Sequence, residues 1–539
     1  MSKRPELIIG FVAPVGVNIS YLCEETGRVL REFNYKPVEI RLSKLLERFT
    51  RWTPQLSTSE DKRISHLQKM GHDFRETLKN PAALGLAALV NIREERAALS
   101  EDPDEPGDGV ASLLNQLKHP SEVMLLRRVY GPSFVLIAAH ASKSTRQKNL
   151  MKLIANSENR DGQEEDISNA LNLIRIDDEE PGQIGADELG QNTRNTYPLA
   201  DLFVNFENEK HVLPTVRRFL DLLFGHPFHT PRPDEVAMYH ASTASLRSSD
   251  ESRQVGAVIV NVKRESKGKI SNIEVVATGM NEVPRRGGGF YWDGSEDSPD
   301  ARDQWLIAYH EKDNRALAVK KAVLGELLEA FKRKKWFNST ITSRQTPDLL
   351  KELIPEGLKG TQFLNIGEFQ RQVHAEMAAL IDSARRGVAV DGRTMFVTTF
   401  PCHNCAKHIV AAGIRHVVYL EPYPKSRALM LHEEEIELDP KDGPLGDEGI
   451  NDGKAPKVVF SPYSGIAPRQ YQRLFSMSGR GKKAFKALKD WDSDKPTLSP
   501  QYLINNASAS YVMNERDELA HLSEGNFKWD SSVTCPLKA

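Results

Sequence analysis

The chain opens on a β-branched apolar run, Leu7 to Val12, followed by a turn over Ala13 to Asn18 and then by apolar residues at helical spacing. That order predicts strand, loop and helix. Further on, VMLLRRVYGPSFVLIAAHAS reads as a helix, a Gly-Pro turn and a buried strand at Phe134 to Ala139. Helix and strand alternate in this way to about residue 225, the pattern of a parallel sheet. Two stretches rich in Asp, Glu, Gly and Asn, 101 to 107 and 157 to 166, predict surface loops. A Pro-bearing segment at 226 to 235 marks a domain boundary, and a second alternation follows: a helix at Val236 to Ser248, then strands at Val255 to Val260 and Ile273 to Thr278. A Gly- and Trp-containing loop leads to a charged helix near Arg315 to Lys334, and a further strand is expected at Met395 to Thr399. From about residue 480 little apolar period remains, which predicts a polar tail with partial disorder. No repeat is found.

The expected fold is α/β throughout: a parallel α/β domain over 1–228, a second α/β domain over 229–480 with an insertion at about 285–370, and a tail over 481–539. The length, 539 residues, suits two or three cores and not one. The charge balance, 72 basic against 74 acidic residues, gives no global field for a nucleic-acid backbone or an anionic membrane. Four cysteines, two of them distant singletons (Cys23 and Cys535), make no disulfide framework. No stretch of eighteen apolar residues and no cleavable leader is present, so a cytoplasmic protein without a membrane partner is expected.

The chemistry lies in RQVHAEMAAL and TTFPCHNCAKHIVAAGI. His374 and Glu376 form an H-x-E, and Cys402 and Cys405 form a P-C-x-x-C, each at the front of a helical pattern. One imidazole and two thiolates fill three corners of a zinc tetrahedron and leave the fourth for water, whose pKa zinc lowers to about 7. Cys402 and Cys405, three apart with Pro401 at the first helical position, present both sulfurs from one turn, where the helix dipole favours thiolates. His374 and Glu376 are only two apart, which requires the irregular geometry of a helix start. Glu376 stays off the metal as a proton shuttle: it takes a proton from the water, protonates ring N3 as C4 is attacked, and later protonates the departing ammonia. A structural Cys2His2 site completed by His403 and His408 is the competing assignment; it would not require a carboxylate two residues from the histidine.

These segments, with LFGHPFHTPRPDEVAMYHA, LRSSDESRQVGAVIV, GMNEVPRRGGGFYW and VVYLEPYPKS, resemble the cytidine/deoxycytidylate deaminases. The resemblance is closer still to bacterial two-domain anti-phage dCTP deaminases, which join a P-loop nucleotide-kinase-like domain to a three-layer α/β/α deaminase domain. It implies zinc on His374, Cys402 and Cys405, with Glu376 as proton shuttle. It also implies substrate contacts from Asn281 in the G-x-N loop, from Tyr423 and Ser426, and from Arg247 and Arg253 as phosphate partners. Free deoxycytidine nucleotides, dCTP and dCMP, are the implied substrates, a homo-oligomer the implied assembly, and depletion of the dC nucleotide pool during phage infection the implied role.

The N-terminal loop departs from a working P-loop. In GFVAPVGVN, Gly10 stands one residue too far from Gly16, and Val17 and Asn18 replace the phosphate-binding Lys and the magnesium-binding Ser/Thr. The helix start after the strand can still offer backbone N–H groups to an anion. A regulatory nucleotide or partner at Gly10, Gly16, Val17 and Asn18, without hydrolysis, is the expectation. ASKSTRQKNL, with Lys143, Arg146 and Lys148, is either a phosphate-closing segment or a solvated helix face. Two rival functions remain at this level. One is a deaminase of bases within RNA or single-stranded DNA, which calls for a basic groove and stacking aromatics. The other is a non-catalytic nucleotide sensor with structural zinc.

Overall fold

The computed structural model describes residues 4–49, 51–55, 59–100, 104–160, 162–179, 189–250, 253–264, 270–292, 315–358, 361, 363–364, 366–423, 426–438, 456–476, 491, 498–500 and 510–523. Most of the tail expected at 481–539, and part of the insertion expected at 285–370, lie outside them.

Two six-stranded sheets organise the chain. The first holds β1 (Leu7–Val12), β2 (Lys36–Arg41), β3 (Val110–Asn115), β4 (Phe134–His140) and β5 (Leu202–Asn205), all parallel in the order β5-β4-β1-β3-β2. Alternation along β1 sorts its side chains. Leu7, Ile9 and Phe11 pack with the helices Ile19–Glu32 and Val212–Leu223 on one face, and Ile8 and Val12 pack with Ala83–Ser100 and Pro120–Tyr130 on the other. The loop after β1 therefore sits where the strand order reverses, the usual crevice of an open α/β sheet.

The second sheet holds β6 (Gly256–Arg264), β7 (Ile270–Met280), β8 (Thr394–Thr399), β9 (His416–Glu421), β10 (Ile436–Leu438) and β11 (Val458–Pro462), in the order β10-β11-β9-β8-β6-β7. It is mixed: β6 runs antiparallel to both β7 and β8, and the remaining pairs are parallel. Val258 and Val260 face the helix Pro233–Ser245, while Ala257 and Ile259 face the helices Ala375–Arg385 and His403–Ala411. This is a three-layer α/β/α arrangement. Gly279 on β7 allows one of these contacts, since a Cβ there would collide with the backbone of Ala375 and Ala379.

The strands expected from apolar pattern are present, extended by a few residues at Gly256–Arg264 and Ile270–Met280. Three features differ from expectation. The loop expected at 157–166 is shorter, because helices occupy Lys143–Ser157 and Glu164–Glu179, with Asp166 buried in an ion pair with Arg160. The tail contains a helix, Ser510–Ser523, whose Glu515 is buried against Arg93 and Arg96 and whose Tyr511 donates to Glu6. Its few apolar residues dock it on the N-terminal lobe. Finally, the chain crosses back over the segment read as a boundary: β12 (Gly465–Ile466) pairs antiparallel with β5, and one apolar cluster runs from Ile8 through Met238 to Phe396. At this junction buried Glu235 binds the Arg218 guanidinium through both oxygens and accepts from the N–H groups of Arg232 and Ile466.

Candidate active site

Two helix starts meet under the second sheet. His374 is the N-cap residue of Ala375–Arg385, and Cys402 is the N-cap residue of His403–Ala411, both with extended backbone dihedrals. The carbonyl of His374 accepts from Ala378 N–H at 2.8 Å, and that of Cys402 from Ala406 N–H at 2.9 Å. A cap residue leaves the helical path while its side chain stays at the helix mouth. That is how His374 and Glu376, only two apart, both face the pocket. Pro401 accordingly precedes the cap and does not occupy the first helical position.

His374 Nδ1 lies 3.4 Å from Cys402 Sγ and 3.4 Å from Cys405 Sγ, and the three ligand atoms all fall within 4.8 Å of one another. Among the described residues this is the group of histidine, cysteine and acidic side chains that can hold a metal ion. The donor set fits zinc: one nitrogen and two sulfurs at separations that a single ion can span, at the positive ends of two helix dipoles. The three side chains are electrostatically coupled. A hydrogen bond from Cys405, opposed by burial and aided by His374, draws the Cys402 thiol down to about 4, so it is a thiolate. The bond to Cys402 raises His374 to about 9.

Glu376 is 4% exposed and stands outside the ligand group. Burial, reinforced by the Cys402 charge, pushes its carboxyl up to about 7. A carboxyl poised there can both take and give a proton near neutral pH.

The other expected site residues divide. Asn281 is buried, and its amide is committed on both sides, donating to the carbonyl of Arg253 at 2.7 Å and accepting from Val255 N–H at 2.8 Å. It fixes the strand leading into β6. Ser426 donates to the Pro401 carbonyl at 2.8 Å and so ties the segment after β9 to the cysteine turn. Tyr423 packs on the apolar cluster that contains Cys405 and against which Cys402 also rests. Arg253 pairs with Glu421 at the end of β9. Arg247 lies beside Met280, donates to the carbonyls of Phe290 and Tyr291 and stacks 3.4 Å from the centre of the Trp292 ring. Its geometry holds the Gly-rich loop. One neighbour was not singled out from sequence: Arg194, on the short helix Thr193–Thr196 of the N-terminal lobe, places its guanidinium 5.7 Å from the Tyr423 ring centre. No motif marks it, because it lies some 230 residues from its neighbour in sequence.

In the N-terminal lobe, Gly10 is inside β1, where a Cβ would strike Leu117 and Phe134. Gly16 has φ +91° in the following turn, Val17 packs on the core, and Asn18 caps the helix through Tyr21 N–H. The loop is satisfied from within. Val15 N–H donates to the Asp177 carboxylate at 2.7 Å, and Lys118 Nζ binds Asp177 and the carbonyl of Ala13, both at 3.1 Å. Arg146, expected among the basic residues of its segment, is nearly buried and paired with Asp178, while Lys143 and Lys148 are exposed.

Comparison with known proteins places this geometry. Residues 231–421 match the cytidine and deoxycytidylate deaminase zinc-binding region, a segment that contains His374, Glu376, Cys402 and Cys405 and ends just short of Tyr423. The chain thus carries a deaminase domain of that family. Deoxycytidylate deaminase of Enterobacteria phage T2 is 43% identical over 58 residues, 11% of this chain and 31% of that protein. ComE operon protein 2 of Bacillus subtilis is 40% identical over 76 residues, 13% of this chain and 40% of that protein. The alignments span well under half the length of these relatives. A crystal structure of dCMP deaminase from the cyanophage S-TIM5 aligns with 44% of this chain and 100% of its own at 17% identity, with a TM-score of 0.21, a likeness too slight to bear on the fold. Among the described residues no helix is long and apolar enough to cross a membrane.

Proposed function

We propose that the protein deaminates free deoxycytidine nucleotides, dCMP and dCTP, to the corresponding deoxyuridine nucleotides in a zinc-dependent hydrolysis. The observation that carries this reading is the convergence of His374, Cys402 and Cys405 beside a buried, non-ligating carboxylate, Glu376. The metal, when bound, supplies Lewis acidity that makes water nucleophilic at neutral pH. His374, Cys402 and Cys405 hold it. Glu376 accepts a proton from water and delivers it to N3 of the cytosine ring, then takes the proton of the new C4 hydroxyl and delivers it to the amino group, which leaves as ammonia. Burial of that carboxyl matches the task, since it keeps the protonated and ionised forms close in energy.

The name of the phage T2 relative supports a nucleotide substrate of the deoxycytidylate type. Use of dCTP, a homo-oligomeric assembly and a role in starving phage DNA synthesis rest on the sequence resemblance. The N-terminal lobe is read as regulatory or scaffolding without phosphoryl transfer, in keeping with a loop whose Val15 N–H already holds Asp177. The test is to incubate the purified full-length protein with deoxycytidine and its mono-, di- and triphosphate and follow uracil-nucleotide and ammonia formation. Faster deamination of single-stranded DNA or tRNA than of dCMP or dCTP, at matched cytosine concentration, would replace this reading by the nucleic-acid one.

A further inference from the structure

We propose that Arg194 of the N-terminal lobe is a specificity-determining residue of the deaminase site, binding the phosphate arm of the substrate together with Arg253. The site is then incomplete without that lobe. This rests on the reading of the site as one for free deoxycytidine nucleotides and names the part of the chain that recognises their phosphates.

Three observations lead to it. First, the backbone around Arg194 is held. Asn192 caps its short helix through Asn195 N–H at 3.2 Å, its own N–H donates to the Lys118 carbonyl at 2.7 Å, and Thr196 donates back to the Asn192 carbonyl at 2.7 Å. The turn that follows, Tyr197–Leu199, packs against β9, the strand that runs into Tyr423. Second, Tyr423 links this arginine to the chemistry. One side of its surroundings is the apolar cluster of Cys405, on which Cys402 also packs, and its ring carries the Arg194 guanidinium. Third, Arg253 reaches the same place from the segment before β6, within electrostatic range of both Arg194 and Tyr423.

The charges do not balance. Among the described residues one carboxylate, Glu421, pairs with Arg253, and none pairs with Arg194. The Arg194 guanidinium is half-buried and the Arg253 side chain more exposed, and desolvation is the main cause lowering the pKa of each. They nonetheless stay ionised, because arginine does not lose its proton in proteins. Two like charges beside one ring raise each other's cost, and an anion between them relieves it. A phosphate suits the pair because each guanidinium offers a planar fork of donors to its oxygens. The aromatic ring beneath Arg194 orients the fork without neutralising it.

The experiment compares wild type with Arg194→Met and Arg194→Lys in the full-length, zinc-loaded protein, using deoxycytidine, dCMP and dCTP as substrates. Arg194→Met keeps an apolar stem on Tyr423 and removes the charge. The expected result is a KM for dCTP raised about tenfold or more, the loss of a charge-assisted hydrogen bond. Its kcat should stay within about threefold, with zinc content and unfolding midpoint as in wild type. The defect should shrink from dCTP to dCMP to deoxycytidine, and Arg194→Lys should recover part of it. A dCTP KM within about twofold of wild type in Arg194→Met, or an equal loss for deoxycytidine and dCTP, overturns the proposal while leaving the deaminase reading intact. An unsubstituted protein that deaminates none of the three overturns both.

Discussion

Each lobe places a loop and a helix start at the end of a central strand, and the two loops have opposite fates. After β1, the turn at Ala13–Asn18 is closed by its own lobe: Asp177 takes Val15 N–H, Lys118 takes the Ala13 carbonyl, and Asn149 takes the Gly16 carbonyl at 3.0 Å. After β8, the turn at Pro401–Cys405 brings two sulfurs to an imidazole, with a buried carboxylate alongside whose pKa is displaced to about 7. The same architecture yields a satisfied turn in one place and a poised group in the other. What separates them is whether the polar groups already have partners. A buried group that is satisfied rigidifies the fold; one held at an unusual protonation state is available for chemistry.

The sharpest way to break this comparison is to remove the sulfurs. Cys402→Ser with Cys405→Ser should leave neither bound zinc nor measurable deamination, since two of three ligands are lost. Metal analysis that still finds one zinc per chain would place the ion elsewhere. Next in size, Glu376→Gln should retain zinc and fold but lower kcat by about a hundredfold to ten-thousandfold, the usual worth of a general acid/base. Wild-type turnover in that variant would move the proton transfers to another group. Smaller again is Gly279→Ala. Its Cβ has to displace the start of the Ala375–Arg385 helix, so a loss of about 1–3 kcal/mol in denaturant unfolding, with weaker zinc retention, is expected. An unchanged midpoint would show that the helix can move without cost.

How much of this could be read from sequence follows the range of the interactions involved. β1 is present at Leu7–Val12 as its apolar run predicts, and His374, Cys402 and Cys405, which belong to the local H-x-E and C-x-x-C signals, lie within 4.8 Å of one another by their ligand atoms. The Arg247 side chain stacks on Trp292 of the Gly-rich loop, a contact that no spacing encodes. Arg194 was invisible for the same reason: a residue with no motif meets the site only because β12 and the helix Pro233–Ser245 bind the lobes together. The Pro-bearing segment at 226–235 reads as a domain boundary because a second alternation of elements follows it. Glu235 and the shared apolar cluster pack the two sides of it together. A chain cut at residue 228 would therefore strip Arg218 from buried Glu235, and point variants, not truncations, are the proper probes of the N-terminal lobe.

The mildest of these probes is Asp177→Ala, and it tests the satisfied half of the comparison. Asp177 is 1% exposed in its side chain, and the Lys118 it pairs with is 16% exposed. Removing the carboxylate leaves the Val15 N–H without its acceptor and the Lys118 ammonium with only the Ala13 carbonyl, which partial access to water softens. The expected cost is roughly 2 kcal/mol in unfolding free energy. Deamination by the folded protein should keep its kcat, because Asp177 touches none of the zinc-site residues. The opened turn still lacks the Lys and the Ser/Thr of a working P-loop, so no ATP or GTP hydrolysis should emerge. Inorganic phosphate should restore part of the lost stability by taking the place of the carboxylate at the Val15 N–H and Lys118. An unfolding curve identical to wild type would show that Asp177 does not close the loop, and hydrolysis appearing in the variant would mean that a nucleotide-processing site lies masked beneath it.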